Sequence, residues 1–200
     1  MSMAFDKAPF NEDGFMEKEF ITLRDKYDIR HVVETGTYHG VTTTWLARNF
    51  DHVYTTEVND AFYQIAQGRF VNEGVFEKIQ SYQGDSVEVL PKIIDIIRSK
   101  GGKSLFFLDA HWYKNPLLGE LDQLAKAGYK PDVLCIHDMM NPHDLTMGYD
   151  VYLDQGITYT YEWVEDYLNK IFGKDGFTHY FNEQAEGARR GALFALKTEK

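Results

Sequence analysis

Five short apolar runs of this chain each end in groups that can accept a proton, a hydrogen bond or a cation. The ends read Glu34-Thr35-Gly36-Thr37-Tyr38-His39-Gly40, then Glu57, Gly84-Asp85-Ser86, Asp109-Ala110-His111-Trp112 and His137-Asp138. Turn formation and helix capping account for some of these acids, Asp85 above all, because a short polar side chain ahead of a helix caps it. Glutamate is a poor cap and a poor turn former, yet it closes two of the runs, at Glu34 and Glu57. Taken together the set reads as a ligand site.

The sign of charge selects among ligands. A dinucleotide needs glycines that let the backbone approach a pyrophosphate at a helix N-terminus. Here Tyr38 stands where a second glycine would be, and Glu34 places an acid beside the anion. S-adenosylmethionine carries no phosphate and two cationic groups, so a carboxylate at that turn is favourable. Gly36 and Gly40 still allow close packing, Glu57 suits two ribose hydroxyls (as it would in NAD), and Asp85 suits an adenine amino group. The expected cofactor contacts are Glu34, Gly36, Thr37, Tyr38, Gly40, Glu57, Asp85, Ser86 and Asp109. Methyl transfer to a hydroxyl or amine also needs a group that removes a proton, and Asp109, His111 and Asp138 are the candidates. His111 leads by its reference pKa near 6.5.

These residues must be placed by alternating strands and helices. An opening helix over about 14–27, after Asp13, repeats Met16, Phe20, Leu23 and Tyr27 on one face. Strands follow at 31–34, 52–57, 79–83, 104–108 and 132–137. The helices between them turn inward Val41, Trp45 and Leu46, then Phe62, Ile65, Ala66 and Phe70, then Val87, Leu90, Ile94 and Ile97, and last Leu117, Leu121 and Leu124. Such alternation implies right-handed crossovers and a parallel sheet, with ligands at the carboxyl ends of its strands. A long loop over about 138–158 reads as a lid, in which Met139, Met140, Met147 and Tyr149, with Trp112 and Tyr113, cover the acceptor pocket. A helix through Val164, Tyr167, Leu168 and Ile171 then leads to strands at 177–181 and 191–196, close enough to form an antiparallel hairpin. Arg189-Arg190, between them, reads as a solvated turn, with contact to an anionic acceptor as the alternative.

Bulk properties limit the partners. Two hundred residues suit one domain, 1–200, that buries about 70% of its unfolded surface. A net charge of −10 opposes nucleic acid and anionic membranes as partners. Cys135 is the one cysteine and sits in an apolar run, so it reads as a buried core residue, and no intramolecular disulfide forms. With no run resembling a signal peptide or a membrane span, the default location is cytoplasmic. A small-molecule acceptor is the expected partner, and self-association into a homo-oligomer stays open.

From about residue 30 onward, these segments resemble the class I S-adenosylmethionine-dependent methyltransferases, in the small O-methyltransferase-like branch. VVETGTYHG is similar to the family's first motif, HVYTTEV to its second, YQGDS to its adenine motif and FFLDAHW to its fourth. Tyr38 departs from the family's commoner glycine. The resemblance implies a Rossmann-like methyltransferase fold: α/β, doubly wound, with a mostly parallel seven-stranded sheet and an antiparallel C-terminal hairpin. FLDAHW also resembles the segment of catechol-type O-methyltransferases in which an aspartate after the fourth strand, and an Asp-Asn pair after the fifth, hold magnesium. The corresponding set here is Asp109, His137 and Asp138, with Asn141 beyond them, and an Asp/His set would suit manganese, iron or zinc better. A metal-dependent hydroxylase or hydrolase, and a non-catalytic cofactor-binding module, are the competing readings.

Overall fold

The computed structural model describes residues 8–110 and 115–198. A short turn, α1 (Pro9–Glu12), precedes helix α2 (Gly14–Tyr27), where Asp13 accepts hydrogen bonds from the amides of Phe15 and Met16 at 2.9 and 3.2 Å. Five strand–helix units follow: β1 (Ile29–Thr35) with α3 (Val41–Asn49), β2 (His52–Glu57) with α4 (Asp60–Asn72), β3 (Ile79–Gln83) with α5 (Ser86–Lys100), β4 (Lys103–Leu108) with α6 (Leu117–Ala127), and β5 (Val133–His137) leading on toward α7 (Tyr161–Phe172). Between β5 and α7 lies a small hairpin, β6 (Val151–Tyr152) and β7 (Ile157–Thr158). The last strands are β8 (Phe177–Phe181) and β9 (Ala192–Lys197).

The main sheet has seven strands in the order β3-β2-β1-β4-β5-β9-β8. Its first five are parallel, while β9 pairs antiparallel with both β5 and β8. The expected doubly wound sheet with a C-terminal antiparallel hairpin is therefore present. Its order reverses between β1 and β4, the switch point at which open α/β sheets leave a crevice.

Successive residues of the central strands face opposite layers, as the pleat requires. Val33, Phe106 and Leu134 pack toward α5, α6 and α7, whereas Val32, Phe107 and Cys135 pack toward α2, α3 and α4. Both faces are covered, which explains the nearly unbroken apolar runs of β4 and β5.

Some inward positions differ from the helical pattern. In α3 the buried residues are Thr43, Thr44, Leu46 and Ala47, and Trp45 is only partly covered. Ile65 of α4 is exposed, leaving Ala66 and Phe70 as that helix's buried contacts. The stretch 138–158 is not an open lid. Met139, Asn141 and Met147 are buried in the body of the protein, and the β6–β7 hairpin carries its outer part. Among the described residues, no helix is long and apolar enough to cross a membrane.

Candidate functional site

A cavity of about 970 Å³ opens at the switch point. Its wall takes Glu34 and Gly36 to Tyr38 from the end of β1, Glu57 from β2, Gly84 to Ser86 from β3, and Asp109 from β4. Asp138 after β5, Asp150 to Tyr152 around β6, and Arg190 ahead of β9 contribute to it, as do Asn11 and residues of the α3 and α4 starts such as Thr42 and Phe62. The sheet thus gathers residues that lie more than a hundred positions apart in the chain. Gly40 is not on this wall. It starts α3 with φ of 74°, and a side chain there would meet the Phe70 ring, so it serves helix packing.

Gly36 has φ of 85°, and an added Cβ would fall 2.8 Å from the Asp109 carbonyl. Only glycine lets the β1 turn pass so close to β4. Tyr38, in the family's glycine position, also takes the left-handed conformation, with φ of 50°. Asp138 does likewise at 59° and Asn11 at 56°, so three non-glycine residues on the cavity wall hold a backbone form that side-chain-bearing residues adopt uncommonly.

The two glutamates differ in their partners. Glu57 is only 7% exposed; its Oε2 accepts from the Tyr38 amide and its Oε1 from the Asn59 amide, each at 2.8 Å. Burial raises its pKa, and these amides oppose the rise. Each carboxylate oxygen keeps capacity for a further donor from the cavity. Glu34 is buried at the cavity wall: its Oε2 accepts from Thr43 at 2.5 Å and Thr55 at 2.8 Å, and burial pushes its pKa up to about 8. Thr55 therefore spends its proton on Glu34, and Thr37 donates to Thr55 at 2.6 Å. Glu34 organises this chain as a largely neutral group rather than presenting the negative charge expected from sequence.

On the far wall, Asp85 caps α5, its Oδ1 accepting from the Val87 amide at 3.0 Å. The hydroxyl of Ser86 is committed to Glu120, so it donates inward rather than to the cavity. Glu120 was not singled out by sequence. It is fully buried, burial pushes its pKa up to about 7, and its Oε2 has no hydrogen-bond partner among the described residues. One signal was available: it falls on the apolar face defined by Leu117, Leu121 and Leu124.

The expected Asp109, His137 and Asp138 do converge, each offering a donor atom within 4.8 Å of the others. His137 Nδ1 lies 2.8 Å from Asp109 Oδ1 and 3.4 Å from Asp138 Oδ2, so it carries the proton and donates to acids. Burial works against a charged imidazole, but Asp138 and Asp109 outweigh it and hold the pKa of His137 well above the ordinary value. His137 itself is 4% exposed and stands behind the wall formed by the two aspartates. Arg190 was expected in a solvated turn; instead it is partly buried, with Nε on Asp138 and Nη2 on Asp150. Its neighbour Arg189 does sit in solvent, against Asp144. The His111, Trp112 and Tyr113 positions lie outside the described residues.

This sheet order, with its late antiparallel strand pair, is the fold of S-adenosylmethionine-dependent methyltransferases. No protein-family model matches the chain, and no curated protein does. Among solved structures, it is similar to the O-methyltransferase TomG from Streptomyces achromogenes, involved in tomaymycin synthesis and crystallised with S-adenosylmethionine. The identity there is 21% and the TM-score 0.65, over 92% of this chain and 80% of that one. An O-methyltransferase from Bacillus cereus in complex with S-adenosylhomocysteine gives 16% and 0.60, over 95% and 84%. The precorrin 8w decarboxylase of Methanobacterium thermoautotrophicum gives 15% and 0.60, over 92% and 89%. At such identities the likeness establishes the fold, and that fold carries more than one chemistry.

Proposed function

We propose that this chain is an S-adenosylmethionine-dependent methyltransferase acting on an oxygen or nitrogen of a small molecule. The observation that carries the reading is Glu57: a carboxylate at the end of β2, oriented by two backbone amides, on the wall of a cavity at the switch point. Its remaining lone pairs suit a vicinal diol such as a ribose. The cavity's size is that of pockets which enclose a drug-sized ligand. Acids dominate its charged wall, which favours a cationic nucleoside over a diphosphate. The solved O-methyltransferases with bound S-adenosylmethionine or its product support the same reading.

When bound, the cofactor supplies an electrophilic methyl group. The chain's residues bind and orient both partners and take up the proton that the acceptor loses. Glu57 holds the ribose, and the turn from Gly36 to Tyr38 packs against the cofactor. Asp85 and Ser86 stand at the adenine end, where the backbone and the cap geometry, rather than the Ser86 hydroxyl, make the contact. Asp109 is the proton acceptor among the described residues, because it lines the cavity and is oriented from behind by His137. His111, two positions later, is the alternative base. Asp138 is committed to Arg190 and shapes the acceptor side instead.

Replacing Glu57 tests the assignment. Glu57→Ala removes two charge-assisted hydrogen bonds worth ~1.5–3 kcal/mol each, so cofactor binding should weaken by about 100-fold or more. Calorimetric titration with S-adenosylmethionine reads this directly. An unchanged affinity in a folded Glu57→Ala protein would refute the ribose assignment, and wild-type protein that binds no S-adenosylmethionine would refute the function.

A further inference from the structure

We infer that Arg190, and not a divalent metal ion, is the cation of the acceptor site. The inference concerns the same cavity as the methyl-transfer reading and deepens it, but it rests on the packing around one guanidinium. Asp109, His137 and Asp138 come close enough together to suggest a metal. Most of their donor atoms face protein partners. Asp138 gives Oδ1 to Arg190 Nε and Oδ2 to His137, and Asp109 gives Oδ1 to His137. The Nδ1 of His137 faces two carboxylates and so carries a hydrogen, which leaves that atom no lone pair for a metal.

The seat of Arg190 is built by the backbone. Gly148 and Arg190 form a parallel bridge, with the Gly148 amide donating to the Arg189 carbonyl at 2.8 Å and the Gly191 amide to the Gly148 carbonyl at 2.9 Å. A Cβ on Gly148 would lie 2.9 Å from Arg190 Nη1, and one on Gly191 would lie 2.1 Å from the Met139 carbonyl. Glycine at both positions lets the final hairpin press against the stretch after β5 and lay the guanidinium between Asp138 and Asp150. Because Asp150 comes from the segment leading into β6, the clamp joins three separate parts of the chain.

A guanidinium is a planar fork with more N–H donors than these two carboxylates use, and Arg190 lines the cavity. The donors left over suit the oxygen of an acceptor hydroxyl or carboxylate. The fixed positive charge favours the deprotonated form of such a hydroxyl, the service a metal gives by coordination. The acceptor class that fits is a neutral or anionic oxygen nucleophile bound without a bridging cation.

Manganese titration followed by electron paramagnetic resonance, on the full chain treated first with chelator and then freed of it, tests this. Wild-type protein should show no saturable site below ~1 mM Mn²⁺, the weak end of the range for dedicated oxygen-ligand sites. Arg190→Gln exposes Asp138 and Asp150 and should bind Mn²⁺ at least about tenfold more tightly than wild type. Arg190→Lys, which keeps the charge, should gain none. One equivalent of Mn²⁺ bound to wild type with micromolar Kd, and lost in Asp138→Asn, overturns the inference. So does an Arg190→Gln protein that is folded by circular dichroism yet binds no better than wild type. If Arg190→Gln does not fold, the wild-type titration decides alone. Parallel titration of S-adenosylmethionine in chelator separates the two readings, since loss of cofactor binding there counts against the function and leaves the Mn²⁺ result standing.

Discussion

Glu34 and Glu57 stand near the ends of neighbouring strands on one cavity wall and look alike in the sequence, yet Glu34 is held by side chains and Glu57 by backbone amides. Thr43 of α3 and Thr55 of β2 donate to Glu34, while backbone amides grip Glu57 from its edge. A buried carboxyl with its pKa raised from 4.5 to about 8 stabilises the fold most fully when the pH is below its unfolded value. That contribution is lost as the pH rises through about 8. Glu34→Gln keeps an acceptor for the two threonines and cannot ionise. Its melting temperature should therefore fall less than that of wild type between about pH 5 and pH 9, as thermal scans by circular dichroism would read. Equal slopes would mean that Glu34 is ionised throughout. Glu57 was legible because glutamate at a strand end lacks a local reason to be there. The threonine partners of Glu34 and the clamp on Arg190 were not, because both are supplied by other elements and a sequence read locally does not show them.

At the scale of elements, periodicity and punctuation located nearly every strand and helix. Strands buried on both faces read as short apolar runs, and Asp13, Asn59, Asp85 and Thr160 mark the starts of α2, α4, α5 and α7 as caps. What failed was the facing of weakly amphipathic helices. Thr43 and Thr44 of α3 are buried because they bond to Glu34 and the Gly40 carbonyl, a satisfaction that hydropathy does not see. The segment 138–158 misled for a related reason: Met139 and Met147 are buried in the core, and neither lines the cavity. The cap on α2 gives a clean test of the local logic. Asp13 is 3% exposed and satisfies two amides that open the helix. Asp13→Ala should cost about 1 kcal/mol, which in a domain of this size lowers the melting temperature by roughly 2–4 °C. A melting temperature equal to that of wild type would show that packing of Met16, Phe20 and Leu23 alone sets where α2 begins.

For the molecule as a whole, one sheet is shared by two apolar layers, and β4 shows how tightly they are joined. Phe106 points into the layer of α5, α6 and α7, and Phe107, its neighbour, into the layer of α2, α3 and α4. Phe107 meets Phe20 edge-on at 5.3 Å, while Phe106 lies 5.6 Å from Tyr129. Neither layer can lose its contacts without exposing the strand that supports the other, so the layers should unfold together. Two tryptophans report on them separately: Trp45 packs on the α2–α4 layer and Trp163 on the α5–α7 layer. Proteins that keep one of these, with the remaining tryptophans changed to phenylalanine, should give coincident thermal melts by fluorescence. Phe107→Ala, introduced into both, should cost about 3–5 kcal/mol and lower both curves by roughly 6–20 °C. The shift should be equal for the two reporters although the deletion touches only the Trp45 layer. If Trp45 melts early and Trp163 keeps its wild-type midpoint, the layers are independent, and the cavity at the switch point, which draws on both, would open before the protein unfolds.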